Sequence, residues 1–309
     1  YESGNLTGAA IGLDAFWEIG TGTWALILGV LAIALLWTGS YSWIENVLVY
    51  LVFIMAGVFF ITLIVAKPDI SLMFSQLLQP HLAADSITTI LALIGTTIVP
   101  YNLFLHASLV AKSSPSTDNI NSDKSDAIKA CRKQSATAIS MGGLITLVVM
   151  ATAMMAFFNQ AATMDAGNMG EQLKPVLGDK AQWFFALGLF AAGLTSAITA
   201  PLAAAYAVCG ALGLSDDMKS KGFRAVWLTI IVCGVAVAAL GFKPLPAILF
   251  AQATNGLLLP IIAIFLLVVM NKSKALGKFK NTLWSNLAGV IVVSVVVGLG
   301  LYKLTSLFV

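Results

Sequence analysis

Charge is the scarcest property of this sequence. Only 10% of its 309 residues are Asp, Glu, Lys or Arg, where a soluble domain carries about 25% because it must present a wet surface. With 59% hydrophobic residues and a mean hydropathy of +0.93, an ordinary water-soluble fold is excluded. Cysteine is scarce too. Cys131, Cys209 and Cys233 have no metal or redox spacing, and two of them fall inside apolar runs as small core hydrophobes. Walker, Rossmann and zinc-protease motifs are missing, and no loop is long enough to fold as a nucleotide-binding segment. Paired acids, a Ser/His pair and a His-rich cluster are missing from the apolar runs, so an enzyme is not expected. The net charge of +3 gives no reason to expect a nucleic-acid partner.

What the sequence has is length in its apolar runs. Backbone polar groups find no water in lipid, so a spanning segment must be a helix or part of a closed barrel. Barrel strands read as short alternating segments; these runs reach the roughly 20 residues a helix needs to cross the hydrocarbon core. About nine spans are predicted, over 4–18, 23–38, 44–66, 86–111, 135–158, 181–214, 224–241, 245–270 and 283–307. The first is short and polar, which predicts burial among other helices; the second is apolar on every face. The expectation is an all-α, polytopic membrane protein with one transmembrane domain over 1–309 and a loop over 112–134.

Loop charge orients it. Lys112, Lys124, Lys129, Arg132 and Lys133 share one loop, Lys219, Lys221 and Arg224 a second, and Lys272, Lys274, Lys278 and Lys280 a third. Two spans separate each pair, as the positive-inside rule requires. These loops are expected in the cytoplasm, and the C-terminus outside.

The fourth span carries the most chemistry. Pro100 falls in its middle, and proline removes a backbone donor and clashes with the preceding turn. Carbonyls near Thr96 and Thr97 lose their partners, and in a membrane such groups persist only inside protein or along a cavity. Gly95, Thr96, Thr97, Pro100, Tyr101 and Asn102 thus form a breakable polar centre. Transporters build ion sites from such discontinuous helices, using unwound carbonyls as hard oxygen ligands. An ordinary proline kink is the alternative reading. His106 fits a pathway or a packing role. Gln252 and Asn255 form a second polar cluster, facing either a neighbouring helix or a pathway. Glu2 and Asn5 stand one turn apart on a shared face.

The stretch Gly95-Thr-Thr-Ile-Val-Pro-Tyr-Asn-Leu-Phe-Leu-His106 resembles the sixth transmembrane helix of the Nramp family of divalent-metal transporters. That helix typically reads Gly-Ala-x-x-Met-Pro-His-Asn-x-x-Leu-His. Residues 2–13 are similar to the family's third helix and 251–260 to its tenth, so the resemblance covers essentially the whole chain. It implies a LeuT-like (APC) inverted-repeat helical bundle, multi-pass in a bacterial inner membrane, lacking the first two helices. The chain is therefore expected to be the N-terminally shortened part of a longer protein, half of whose metal site lies outside this sequence.

By the same resemblance the metal ligands fall at Thr96, Val99, Asn102, Gln252 and Glu2. Gly95, Thr97, Pro100 and Tyr101 form the helix break, and Asn5, His106 and Asn255 the pathway. Val99 stands where the family has methionine, Thr96 where it has alanine, and Glu2 and Asn5 where it has Asp and Glu. Loss of the thioether makes the site harder, as in the proton-uncoupled, magnesium-transporting branch related to Nramp proteins. The implied activity is secondary transport or uniport of Mg²⁺ or Mn²⁺ by a monomer in the lipid bilayer, the cation being cargo and no cofactor being needed. A proton- or sodium-coupled amino-acid carrier of the same fold, or an inactive membrane scaffold, remains an alternative.

Overall fold

The computed structural model describes residues 1–38, 41–67, 87–97, 99–113, 122–157, 177–240 and 244–305, with a few isolated positions between them. Among these residues every regular element is helical. Besides short 3-10 turns and a four-residue helix at Ser273–Leu276, they are in chain order α1 (Glu2–Asp14), α2 (Thr21–Trp37), α3 (Tyr41–Ala66), α4 (Ile87–Thr97) and α5 (Pro100–Ser113). Then follow α6 (Ser122–Phe157), α7 (Ala181–Leu212), α8 (Lys221–Ala239), α9 (Pro244–Met270) and α10 (Leu283–Thr305). Among the described residues, five stretches are long and apolar enough to cross a membrane: Thr89–Val110, which includes the break between α4 and α5, Asp126–Met154, Gly178–Leu212, Lys221–Ala239 and Ile248–Met270. Shorter apolar helices run over Thr21–Trp37, Val49–Val65 and Leu283–Gly298. Large apolar side chains such as Phe53, Phe250, Ile261 and Trp284 are exposed.

The chain divides into two compact units. The first contains Tyr1–Gln79 and Phe104–Leu245, the second Pro80–Leu103 and Pro246–Val309. In the first, α1 packs against α2, α7 and α8, and α3 against α6 and α7. Leu6, Ala9 and Ala10 of α1 are buried, so this short helix is indeed an interior one. Its neighbour α2 turns Ala25, Leu28, Gly29, Ala32 and Leu36 inward and leaves Leu26, Ile27, Val30 and Leu31 exposed. Hydropathy does not distinguish those faces; on the inner one Ala25, Gly29 and Ala32 let neighbouring helix backbones approach.

The ends of two helices are fixed locally. Ser220 caps α8, its hydroxyl accepting from the Phe223 N–H at 3.3 Å. Arg224 lies 4.6 Å from the Trp37 ring centroid and donates Nη2 to the Trp37 carbonyl at 3.3 Å. A cation is thus placed on the carbonyl end of α2, where the helix dipole favours it. α6 begins at Ser122, inside the 112–134 segment expected as a loop. Residues 122–134 extend the span as a charged helical overhang, with Lys129 on Asp126 at 3.0 Å. The expected loops over 159–180 and 242–244 lie mostly outside the described residues.

Candidate functional site

Four β-branched residues, Thr96, Thr97, Ile98 and Val99, lead into Pro100. Such residues lose side-chain freedom in a helix, and proline pushes the residue before it out of helical geometry. α4 accordingly ends at Thr97, Val99 is non-helical, and α5 starts at Pro100. Proline at a first helical position is well placed, since its missing N–H would have had no partner there. The Asn102 N–H donates to the Val99 carbonyl at 3.1 Å, closing the first turn of α5. The interruption therefore joins the carbonyl end of one helix to the amide end of the next. A cation is favoured at the first and an anion at the second.

α4 is seated on α9 by two glycines. A Cβ on Gly95 would strike the Gln252 carbonyl and the Gly256 amide, and a Cβ on Gly256 would come within 2.6 Å of the Leu91 carbonyl. Leu91 and Gly95 are one turn apart, as are Gln252 and Gly256, so the contact is reciprocal. Beside it, Asn255 is buried and its side-chain amide donates to the Gly95 carbonyl. The Gly95 carbonyl, in the last turn of α4, thus accepts a side-chain amide from across the helices.

Around this crossing Thr96 and Asn102 are exposed, Tyr101 and Gln252 half-buried and Val99 buried. Of Thr97 and Pro100 only the backbone is described, and Ile98 lies outside the described residues. The functional groups here are amide, hydroxyl and carbonyl oxygens, hard donors of the kind that suit Mg²⁺, Mn²⁺ or Ca²⁺. Among the described residues no group of three or more His, Cys, Asp or Glu converges.

Glu2, Asn5 and His106 belong to the first unit, and the break with Gln252 and Asn255 to the second. Asn5 donates Nδ2 to Glu2 Oε2 at 3.4 Å. Glu2 is buried against Gly234 of α8, and its other carboxylate oxygen has no hydrogen-bond partner among the described residues. His106 is exposed on α5, with its Nε2 at 3.4 Å from Ser135 Oγ and 3.8 Å from Cys131 Sγ of α6. The sequence marks Gly256 as part of the polar cluster with Gln252 and Asn255, but not its contact with Leu91. The available signal was the matching four-residue spacing of 91/95 and 252/256.

The Nramp family (natural resistance-associated macrophage protein-like) matches residues 1–306. Among characterised proteins, the divalent metal cation transporter MntH of Yersinia pestis (strain Pestoides F) is 26% identical over 307 residues, covering 97% of this chain and 72% of its own. MntH of Vibrio campbellii is 26% identical over 308 residues, covering 97% and 70%. MntH of Klebsiella pneumoniae (strain 342) is 26% identical over 297 residues, covering 94% and 69%.

Proposed function

The chain belongs to the Nramp family, and from that premise we propose that it carries divalent metal cations across a bacterial cell membrane by alternating access on a LeuT-like helical fold. The observation that carries this reading is the interrupted α4–α5 span, braced by the Asn255 amide on the Gly95 carbonyl. Discontinuous helices of this kind bind ions at membrane depth in secondary transporters. The bacterial relatives are named divalent metal cation transporters. The metal is cargo, and the protein is a carrier rather than an enzyme.

Mg²⁺ and Mn²⁺ are the substrates we favour. Val99 brings no sulfur to the break, and Thr96, Asn102 and Gln252 offer only oxygen to a cation. Mg²⁺ sheds water reluctantly, so these three would hold a partly hydrated ion through water. Transport as a monomer in lipid is part of the same proposal.

Uptake into proteoliposomes tests it. Mn²⁺ uptake should be inhibited by Mg²⁺ and should fall with Thr96→Ala or Asn102→Ala, while Cys209→Ala and Cys233→Ala leave it intact. Mn²⁺ uptake indifferent to Mg²⁺ would remove the magnesium assignment. Equal losses at all four positions would mean that stability, not ion binding, is being measured. Amino-acid uptake without metal uptake would favour the rival carrier.

A further inference from the structure

The second unit holds a feature with no part in the proposed ion path. Between α9 and α10 lies an apolar groove of about 390 Å³, walled by Leu259, Ala263, Leu267, Val292 and Val296 and touched by Leu103. It runs toward the basic turn between the two helices, where Met270 and Asn281 line its end. That turn is tied shut. The Asn281 N–H donates to the Met270 carbonyl at 3.0 Å. Asn271 and Asn286 exchange side-chain amide bonds of 2.8 Å in both directions, and Asn281 donates to Asn286 at 3.1 Å. The amides hold one another, and the lysines share the segment with them. Lys272 follows Met270 by two residues, Lys280 directly precedes Asn281, and Lys272, Lys274 and Lys280 are all exposed. No Asp or Glu occurs between Met218 and Val309.

We propose that this groove and its lysine rim form a binding site for an anionic phospholipid, one acyl chain lying in the groove and the phosphate meeting Lys272, Lys274 and Lys280. Insertion orientation alone explains basic residues at a cytoplasmic turn, but not an apolar channel that leads to them. An apolar channel alone would take any lipid tail. The two together match an amphipathic molecule of negative charge, and basic pockets between spans bind such headgroups.

Native mass spectrometry of the purified full chain, offered equal dioleoylphosphatidylglycerol and dioleoylphosphatidylcholine, tests the site. Phosphatidylglycerol adducts should exceed phosphatidylcholine adducts by at least about fivefold, the effect of one well-placed lysine. The triple exchange Lys272→Gln, Lys274→Gln, Lys280→Gln lies on an exposed turn, spares the core, and should bring that ratio to about one. Ala288→Phe with Val292→Phe fills the groove from exposed positions and should reduce both adducts. Equal adducts in the unaltered chain, or a preference that survives the lysine exchange, would overturn the proposal. So would undiminished adducts in the filled variant, which would mean that the lysines attract headgroups to no fixed site or that protein covers the groove.

Discussion

Pro201 and Pro100 each stand in an apolar span, yet only Pro100 interrupts one. α7 runs without a break from Ala181 to Leu212, with Pro201 buried inside it. A proline in a helix interior costs about 3 kcal/mol or more, so something in the first unit must offset it. Alanines surround the residue: Ala197, Ala200, Ala203 and Ala205 are all buried, and alanine is the best helix former. The helix is also clasped by α1, α3 and α8. At Pro100 the preceding residues are Thr, Thr, Ile and Val, each a poorer helix former. Pro260 agrees with this account: three leucines precede it, and α9 continues through it. Proline alone does not open a helix. It does so where propensity on its N-terminal side already points the same way, and there the Asn255 amide of a second helix meets the Gly95 carbonyl.

The strongest test of that contrast is at Gly95. Gly95→Leu would drive a side chain into the backbone of α9 at Gln252 and Gly256. Metal uptake should fall by about 100-fold or more, since overpacking and a displaced carbonyl together exceed ~2.7 kcal/mol. Gly142→Leu, whose site has open space, should leave uptake within about twofold. Similar losses in both would show that the crossing has no special standing.

Next in size is the effect of removing each proline. Pro100→Ala restores an N–H and lifts the restriction on Val99, so α4 and α5 should tend to fuse and uptake should drop about tenfold, or ~1.4 kcal/mol. Pro201→Ala in the continuous helix should leave uptake unchanged and raise the melting temperature. The opposite pattern in a paired uptake and melting assay would refute the account of why one span breaks. Asn255→Leu leaves the Gly95 carbonyl without its cross-helix donor, a loss of about 1–3 kcal/mol for a buried acceptor. It should slow uptake by a factor nearer five than a hundred if the carbonyl then finds water.

The helical class and the approximate spans were legible because hydropathy reports membrane depth directly. The start of α6 was not, because 122–134 is charged and a charged helix outside the bilayer reads like a loop. Pro100 and the β-branched run mark where α4 gives way to α5, and both are local in sequence. The partners of that break are not local. Asn255 stands 160 residues from Gly95, and Gly256 meets Leu91 only because two helices cross. Composition carried the suspicion of polar groups at 252–256, but which carbonyl they serve is a property of packing. The inner face of α2 was not legible, because its residues are apolar all round and only packing shows that Ala25, Leu28, Gly29 and Ala32 are buried.

The smallest expected effect on rate, and the sharpest on identity, is at Val99. Val99→Met replaces the last β-branched residue before Pro100 with an unbranched thioether. The gain in helix propensity is only a few tenths of a kcal/mol, well below what Pro100 imposes, so the break should persist and total uptake of Mn²⁺ should change little. What changes is the ligand set. A soft sulfur beside oxygen donors favours Cd²⁺ over Mg²⁺, and the ratio of Cd²⁺ to Mg²⁺ uptake should rise about tenfold, or ~1.4 kcal/mol of discrimination. Val99→Leu is the control, since it is equally free of β-branching and carries no sulfur. If leucine shifts the ratio as far as methionine does, the cause lies in the helix and not in the donor, and Val99 must be counted with the fold rather than with the ion.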